Sequence, residues 1–193
     1  MKQQKEDRQS RRTYRLVSDA FIELLLEKSY DAILVQDILD RAGIGRTTFY
    51  AHYFDKKDAL ESTVEHMMDM FQQLIAQRET GPEILPTAEL FGHVHQHRQV
   101  FQALFLHGGI VLWETGQAQF RTTIEEILVS RWKARHPSSI PQTAVAHYLA
   151  GAFFTLLKWW LEAERPCSPD QMDQIFQQLV MPGVQAVVGD KHT

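Results

Sequence analysis

A single cysteine among 193 residues excludes an internal disulfide framework and leaves no second thiol for a zinc site. Cys167 stands in a proline-flanked loop, where a reduced thiol is the expected state. No run reaches the roughly twenty apolar residues that a bilayer requires. Tyr148 to Leu157 comes nearest, bounded by His147 and Lys158, and a helix apolar on most of its circumference is expected to be buried on several sides. The opening MKQQKEDRQSRR lacks the apolar centre of a signal peptide, so a cytoplasmic location is expected. Asn-Gly hairpin signals, β-branched alternation, repeats and low-complexity tracts are missing, which argues against a sheet protein or an array. A Walker loop, a Gly-x-Ser-x-Gly elbow, a His-Glu-x-x-His helix and a Gly-x-Gly-x-x-Gly turn are also missing, so neither catalysis nor a cofactor is expected.

What is present is helical punctuation. From Val35 to Lys56, VQDILDRAGIGRTTFYAHYFDK predicts two short helices joined by a glycine turn, the outline of a helix-turn-helix. Ile38, Leu39 and Ala42 make an inward stripe, while Gln36, Asp37, Asp40 and Arg41 take the other face. Gly43 lies just past the last periodic residue, where a left-handed backbone ends a helix without steric cost, and Ile44 can fold back on it. Gly45 opens the next helix, less well than Ser or Asp would. Burial is demanded only of Phe49 and, four residues on, Tyr53, leaving Arg46, Thr47, Thr48, Tyr50 and His52 outside. A guanidinium, two hydroxyls, a phenol and an imidazole on one short face suit base edges and phosphate oxygens in a DNA groove.

Arg11 to Glu27 forms an amphipathic helix with Leu16, Val17, Ala20, Phe21, Leu24 and Leu25 on one stripe, broken by Lys28-Ser29-Tyr30-Asp31. A long helix, the link EKSYDAILVQDIL, the segment RAGIGRTTFYAHYFDKKDAL and a further helix, in that order, resemble the TetR family of bacterial transcriptional regulators over roughly the first sixty residues. The likeness is carried by Ala42-Gly43-Ile44, Thr48-Phe49-Tyr50, His52-Tyr53-Phe54 and Lys56. It implies a DNA-contacting set of Gln36, Gly45, Arg46, Thr47, Thr48, Tyr50, His52 and Lys56. Two positions depart from the family pattern. Leu34 stands where a phosphate-contacting threonine commonly caps the second helix, and Gly45 replaces a frequent serine, costing about a few tenths of a kcal/mol in capping. Backbone amides at both helix starts can still hold phosphate oxygens.

The formal net charge of -4 becomes informative once the chain is divided. Residues 1–57 carry eleven Lys/Arg against nine Asp/Glu, and residues 58–193 nine against fifteen. Lys2, Lys5, Arg8, Arg11, Arg12 and Arg15 form a basic arm, and Arg46, Lys56 and Lys57 surround the motif. Residues 1–8 read equally well as a solvated, disordered terminus.

Length requires a second, larger module. We expect an all-α chain with a three-helix DNA-binding domain at 1–57 and a helical ligand-binding and dimerisation domain at 58–193. Helices are predicted at Asp58–Arg78, Ala88–His97, Val100–His107, Ala118–His136, Thr143–Glu164 and Pro169–Met181, the last ended by Pro182-Gly183. The segments FGHVHQHRQVFQALFLHGG and YLAGAFFTLLKWWLEAERPCSPDQM are similar to the C-terminal region of a TetR subgroup that includes regulators of dihydroxyacetone kinase operons. The resemblance implies a homodimer pairing Thr143–Glu164 and Pro169–Met181 into a four-helix bundle, so that two recognition helices read a near-palindromic double-stranded operator.

His93 and His97 share a helix face at i,i+4, as metal-binding pairs do, but no neighbouring carboxylate or thiol completes a set and His95 points elsewhere, so no metal site is expected. Met67, Phe71, Phe105, His107, Trp113, His147 and Trp159 are the candidates for holding an unknown small-molecule effector, although Met and aromatic stripes also serve as plain core. The reading is of a regulator, most often a repressor in such families. The alternatives are a DNA-bound regulator governed by a protein partner and a helical ligand-binding or interaction protein with a degenerate DNA reader.

Overall fold

A computed structural model describes residues 2–76, 85–107, 109–131, 140–163 and 167–188, and all regular structure among them is helical. The order is α1 (Lys2–Glu27), a 3-10 turn (Tyr30–Ala32), α2 (Val35–Ala42), α3 (Arg46–Tyr50), α4 (Lys56–Ala76), α5 (Thr87–Gln96), α6 (Arg98–Gln102), a π-helical turn (Ala103–His107), α7 (Gly109–Arg131), α8 (Gln142–Glu162), α9 (Pro169–Leu179) and α10 (Met181–Val188). No helix of the described residues is long and apolar enough to cross a membrane.

The chain forms two compact units, Met1–Met67 with Gln99–Gly116, and Met68–Arg98 with Gln117–Thr193. The break falls inside α4, which runs on without interruption, and α6 and the π-turn join the N-terminal helices because the turn packs on α1.

In the first unit α1 starts at Lys2, well before Arg11, and buries Val17, Ala20, Phe21, Leu24 and Leu25 on one stripe. Tyr30 stacks on Phe21 at 6.3 Å. Where α1 meets α4, the buried Thr63 hydroxyl donates to the Ala59 carbonyl at 2.8 Å and lies 3.3 Å from the Ser18 hydroxyl, so no polar group is stranded there. His107 Nδ1 donates to the Leu25 carbonyl at 3.1 Å, satisfying one of the orphan acceptors at the end of α1.

The second unit is built on rings. Phe153 of α8 lies 5.1 Å from Phe91, 4.8 Å from Phe120 and 6.2 Å from Phe176, and Phe91 meets the fully buried Trp160 edge-on at 5.6 Å. Helix α9 opens with a complete capping box. Gln171 N donates to Ser168 Oγ at 3.2 Å, Ser168 N to Gln171 Oε1 at 2.8 Å, and Pro169 fills the first turn. It packs against α5 through Thr87, whose hydroxyl donates to Asp173 and accepts from Gln177 Nε2 at 3.0 Å. Arg98 caps the end of α8, its Nη2 donating to the Trp160 carbonyl at 2.7 Å and the Leu161 carbonyl at 3.1 Å.

Besides the start of α1, two helix boundaries depart clearly from those the punctuation predicts. Helix α7 begins at Gly109, not Ala118, because the helix tolerates Gly116 internally at about 1 kcal/mol relative to Ala. Pro182-Gly183 does not end the helical run but lies in the first turn of α10, where a proline has no N–H to miss. The predicted ends at Arg78 and His136 lie outside the described residues.

Candidate nucleic-acid interface

The helix-turn-helix is held by its backbone. Leu34 opens α2 from an extended conformation, and its N–H donates to Asp37 Oδ2 at 2.7 Å. That is one half of a capping box. The other half needs a side-chain acceptor at position 34, and leucine has none. Asp37 Oδ2 also accepts from Lys28 Nζ at 2.7 Å, and this bond, followed by that of the Leu34 N–H, holds the carboxyl below its usual range. At the other end Gly43 has φ 64° and ψ 35°, and Ile44 N donates to the Leu39 carbonyl at 3.2 Å, the wrapped ending that a left-handed residue permits. Gly45 is extended and offers no side-chain cap to α3.

Phe49 is fully buried and Tyr53 2% exposed, and burial pushes the Tyr53 phenol well above its ordinary range. Their rings lie 5.1 Å apart. With these two anchored inward, Arg46, Thr47, Thr48 and Tyr50 are exposed. His52 is half-buried, its ring 5.4 Å from that of Tyr14, so α1 seats the imidazole. The exposed Gln36 of α2 joins the face of α3: Arg46 Nη2 donates to Gln36 Oε1 at 3.1 Å, and Gln36 Nε2 donates to Asp40 Oδ1 at 2.8 Å.

Lys56 is half-buried at the start of α4. Its ammonium donates to the Tyr30 carbonyl at 2.9 Å and the Ile33 carbonyl at 2.8 Å and lies 4.1 Å from the centre of the Tyr30 ring. Two of three N–H groups thus tie the start of α4 to the link between α1 and α2. Arg41 is likewise engaged, pairing with Glu23 at 3.1 Å and both oxygens of Glu27 at 2.9 Å, and Lys57 pairs with Glu61 at 3.0 Å. The hydrogen bond from Arg41 lowers the Glu27 pKa. Arg11, Arg12 and Arg15 are exposed along α1. Asp37, Asp40 and Tyr14 were not among the expected site residues. Asp37 had a signal, a carboxylate three residues after a cap position, and Asp40 had one in its i,i+4 spacing from Gln36.

The residues expected to hold an effector are spread over both units. Met67 and Phe105 are buried, Trp113 is half-buried and His107 exposed in the first, with Phe105 and Trp113 in edge-to-face contact at 5.5 Å. In the second unit Phe71 is buried edge-on to Phe120 at 6.5 Å. His147 is exposed, its Nδ1 donating to the Thr143 carbonyl at 2.8 Å, and Trp159 is 51% exposed. A groove of about 230 Å³ runs between α8 and α10, lined by Ile140, Ala144, Val145, Tyr148, Gly183, Val184 and Val187. The His93 and His97 rings are 4.7 Å apart, and burial, then His97, lowers the His93 pKa. His95 stacks against Trp160 at 6.1 Å. Among the described residues no three His, Cys, Asp or Glu side chains gather as a metal set.

Comparison with known proteins agrees with this geometry. Residues 18–62 match the family described as bacterial regulatory proteins, tetR family, and residues 86–182 match a transcriptional regulator C-terminal region. The uncharacterized HTH-type transcriptional regulator YxbF of Bacillus subtilis (strain 168) is 35% identical over 174 residues, covering 85% of this chain. The chain spans only 43% of that relative's length. A TetR transcriptional regulator from Streptococcus agalactiae 2603V superposes with a TM-score of 0.65 at 27% identity, over 91% of this chain and 97% of that one. The dihydroxyacetone kinase operon activator DhaS shares the fold, with a TM-score of 0.61 at 17% identity over 91% and 97% of the two chains.

Proposed function

The chain belongs to the TetR family of bacterial transcriptional regulators, and from that premise we propose that it works in the cytoplasm as a homodimer on a near-palindromic operator, as a repressor released by a small molecule. The observation that carries the reading is the division of labour along α3 and the turn that follows it. Phe49 and Tyr53 are committed to the core, and Arg46, Thr47, Thr48 and Tyr50 face outward beside Gln36. Arg46 is the base reader, the hydroxyls of Thr47, Thr48 and Tyr50 take phosphate and sugar, and the amides at Gly45 and Arg46 hold a phosphate oxygen. His52 and Lys56 act chiefly by holding this surface in place.

The dimer is proposed on α8 and the α9–α10 run. Ala144, Tyr148, Gly151, Thr155 and Trp159 recur along one side of α8 at helical spacing, and all are exposed or half-buried, which is the pattern of a face awaiting a second helix. Effector control is proposed through α4 and α7, each of which supplies residues to both compact units. A ligand that binds one conformation of either helix better than another shifts the population that fits the operator.

Enrichment of duplexes from a random-sequence pool, followed by salt titration, tests the reading. One near-palindromic sequence should emerge, bound by two chains with affinity falling steeply as salt rises, and Arg46→Ala should lose about tenfold or more discrimination at one base pair per half-site. A pool that stays random rejects the operator reading.

A further inference from the structure

We propose that Asp40 is a positioning residue for base reading: acting through Gln36, it fixes the orientation in which Arg46 is presented to DNA. The inference rests on the operator-binding reading above and adds to it a residue that need not touch DNA.

Gln36 and Asp40 are one helical turn apart on α2, and Arg46 is the first residue of α3. An isolated surface glutamine has two nearly equivalent amide orientations. Here the Asp40 carboxylate is acceptor-only, so the Gln36 NH₂ must face it, at 2.8 Å from Nε2 to Oδ1. The amide oxygen is then turned toward α3, where it accepts from Arg46 Nη2 at 3.1 Å. The anionic acceptor polarises the amide and strengthens its oxygen as an acceptor for the guanidinium.

The gain is in orientation. A guanidinium has five N–H donors in a rigid plane, and one is used by Gln36. A two-donor edge remains for the paired acceptors of guanine. Without the link, the same arginine reaches the groove on a freely rotating stem and meets phosphate as readily as a base. Asp40 has an opposite effect on affinity, since an exposed carboxylate on the DNA-facing side repels phosphate. The relay therefore raises discrimination while lowering indiscriminate binding, two effects that a merely structural residue would not separate.

The test uses the full chain, the duplex that it enriches from a random pool, the set of single base-pair variants of that duplex, and an unrelated duplex of equal length. Asp40→Ala should reduce discrimination at the base pair read by Arg46 by about threefold to tenfold while binding the unrelated duplex more tightly. Asp40→Asn offers donors as well as an acceptor, so it no longer dictates the Gln36 amide orientation and should lose discrimination much as Asp40→Ala does. Gln36→Ala should reproduce the lost discrimination from the other end of the relay. A parental base profile in Asp40→Ala, a uniform loss across all variants, or an Asp40→Asn protein as selective as the parent would each overturn the inference. Failure of the parent to enrich any duplex would instead overturn the operator reading itself, and the two failures are told apart before any variant is made.

Discussion

Replacing Lys56 with methionine separates two roles for one ammonium group. The stem keeps its length, and what is lost are charge-assisted bonds to the carbonyls of Tyr30 and Ile33, 26 and 23 residues away in sequence, and the cation over the Tyr30 ring. Such bonds contribute about 1.5–3 kcal/mol each when well shielded, and a cation over an aromatic face about 0.5–1 kcal/mol. Lys56 is only half-buried, so water recovers much of this, and a net loss of about 2 kcal/mol is the reasoned expectation. For a chain of this length that is a fall in Tm of roughly 4–8 °C. The assay is thermal unfolding followed by circular dichroism without DNA, paired with the salt dependence of DNA binding at a temperature where the variant is folded. The account predicts a lowered Tm with the salt slope nearly unchanged. An unchanged Tm with a slope reduced by about one would refute it and make Lys56 a phosphate contact.

Three further outcomes follow from the same structure. Gly43→Ala places a Cβ in open space but on a backbone at φ 64°, so the cost is conformational alone, about 1 kcal/mol in chemical denaturation. Cost-free replacement would mean that the turn is not left-handed. Trp159→Asp puts a carboxylate on the exposed side of α8 and should yield a folded monomer by light scattering, with half-site binding only; an unchanged dimer would move the interface elsewhere. Burial, then His97, holds His93 below its ordinary pKa of 6.5, so the unfolded chain takes up a proton that the native one resists. Stability therefore falls as pH drops below about 6.5 toward the lower folded value, and His93→Gln should flatten that part of the stability profile. A variant with the parent's slope would assign the acid sensitivity to another group.

The exposed face of α3 was legible in the sequence because its logic is local. Phe49 and Tyr53 are four residues apart just after Gly45, and burying both rings, one on α3 and one just beyond it, fixes the outward set. Gly43 declared its left-handed turn for the same reason. The bonds of Lys56 were not legible, because its partners are backbone carbonyls, which leave no trace in side-chain pattern. Pro182-Gly183 misleads because a proline suits the first turn of a helix as well as the end of another, and the pattern alone does not choose. The effector set was least legible. Met67, Phe71 and Phe105 are buried and Trp159 stands half in solvent, although all four carry the same compositional signal. Only the surroundings of a ring separate those roles.

The most direct measurement is hydroxyl-radical footprinting of the chain on its enriched duplex, with the mass of the complex determined in parallel. The account predicts two chains per duplex and two protected patches on the same face, about one or more helical turns apart, with the Arg46→Ala protein losing both patches together. A single chain bound at a single patch, or protection that is unaltered by Arg46→Ala, would contradict it.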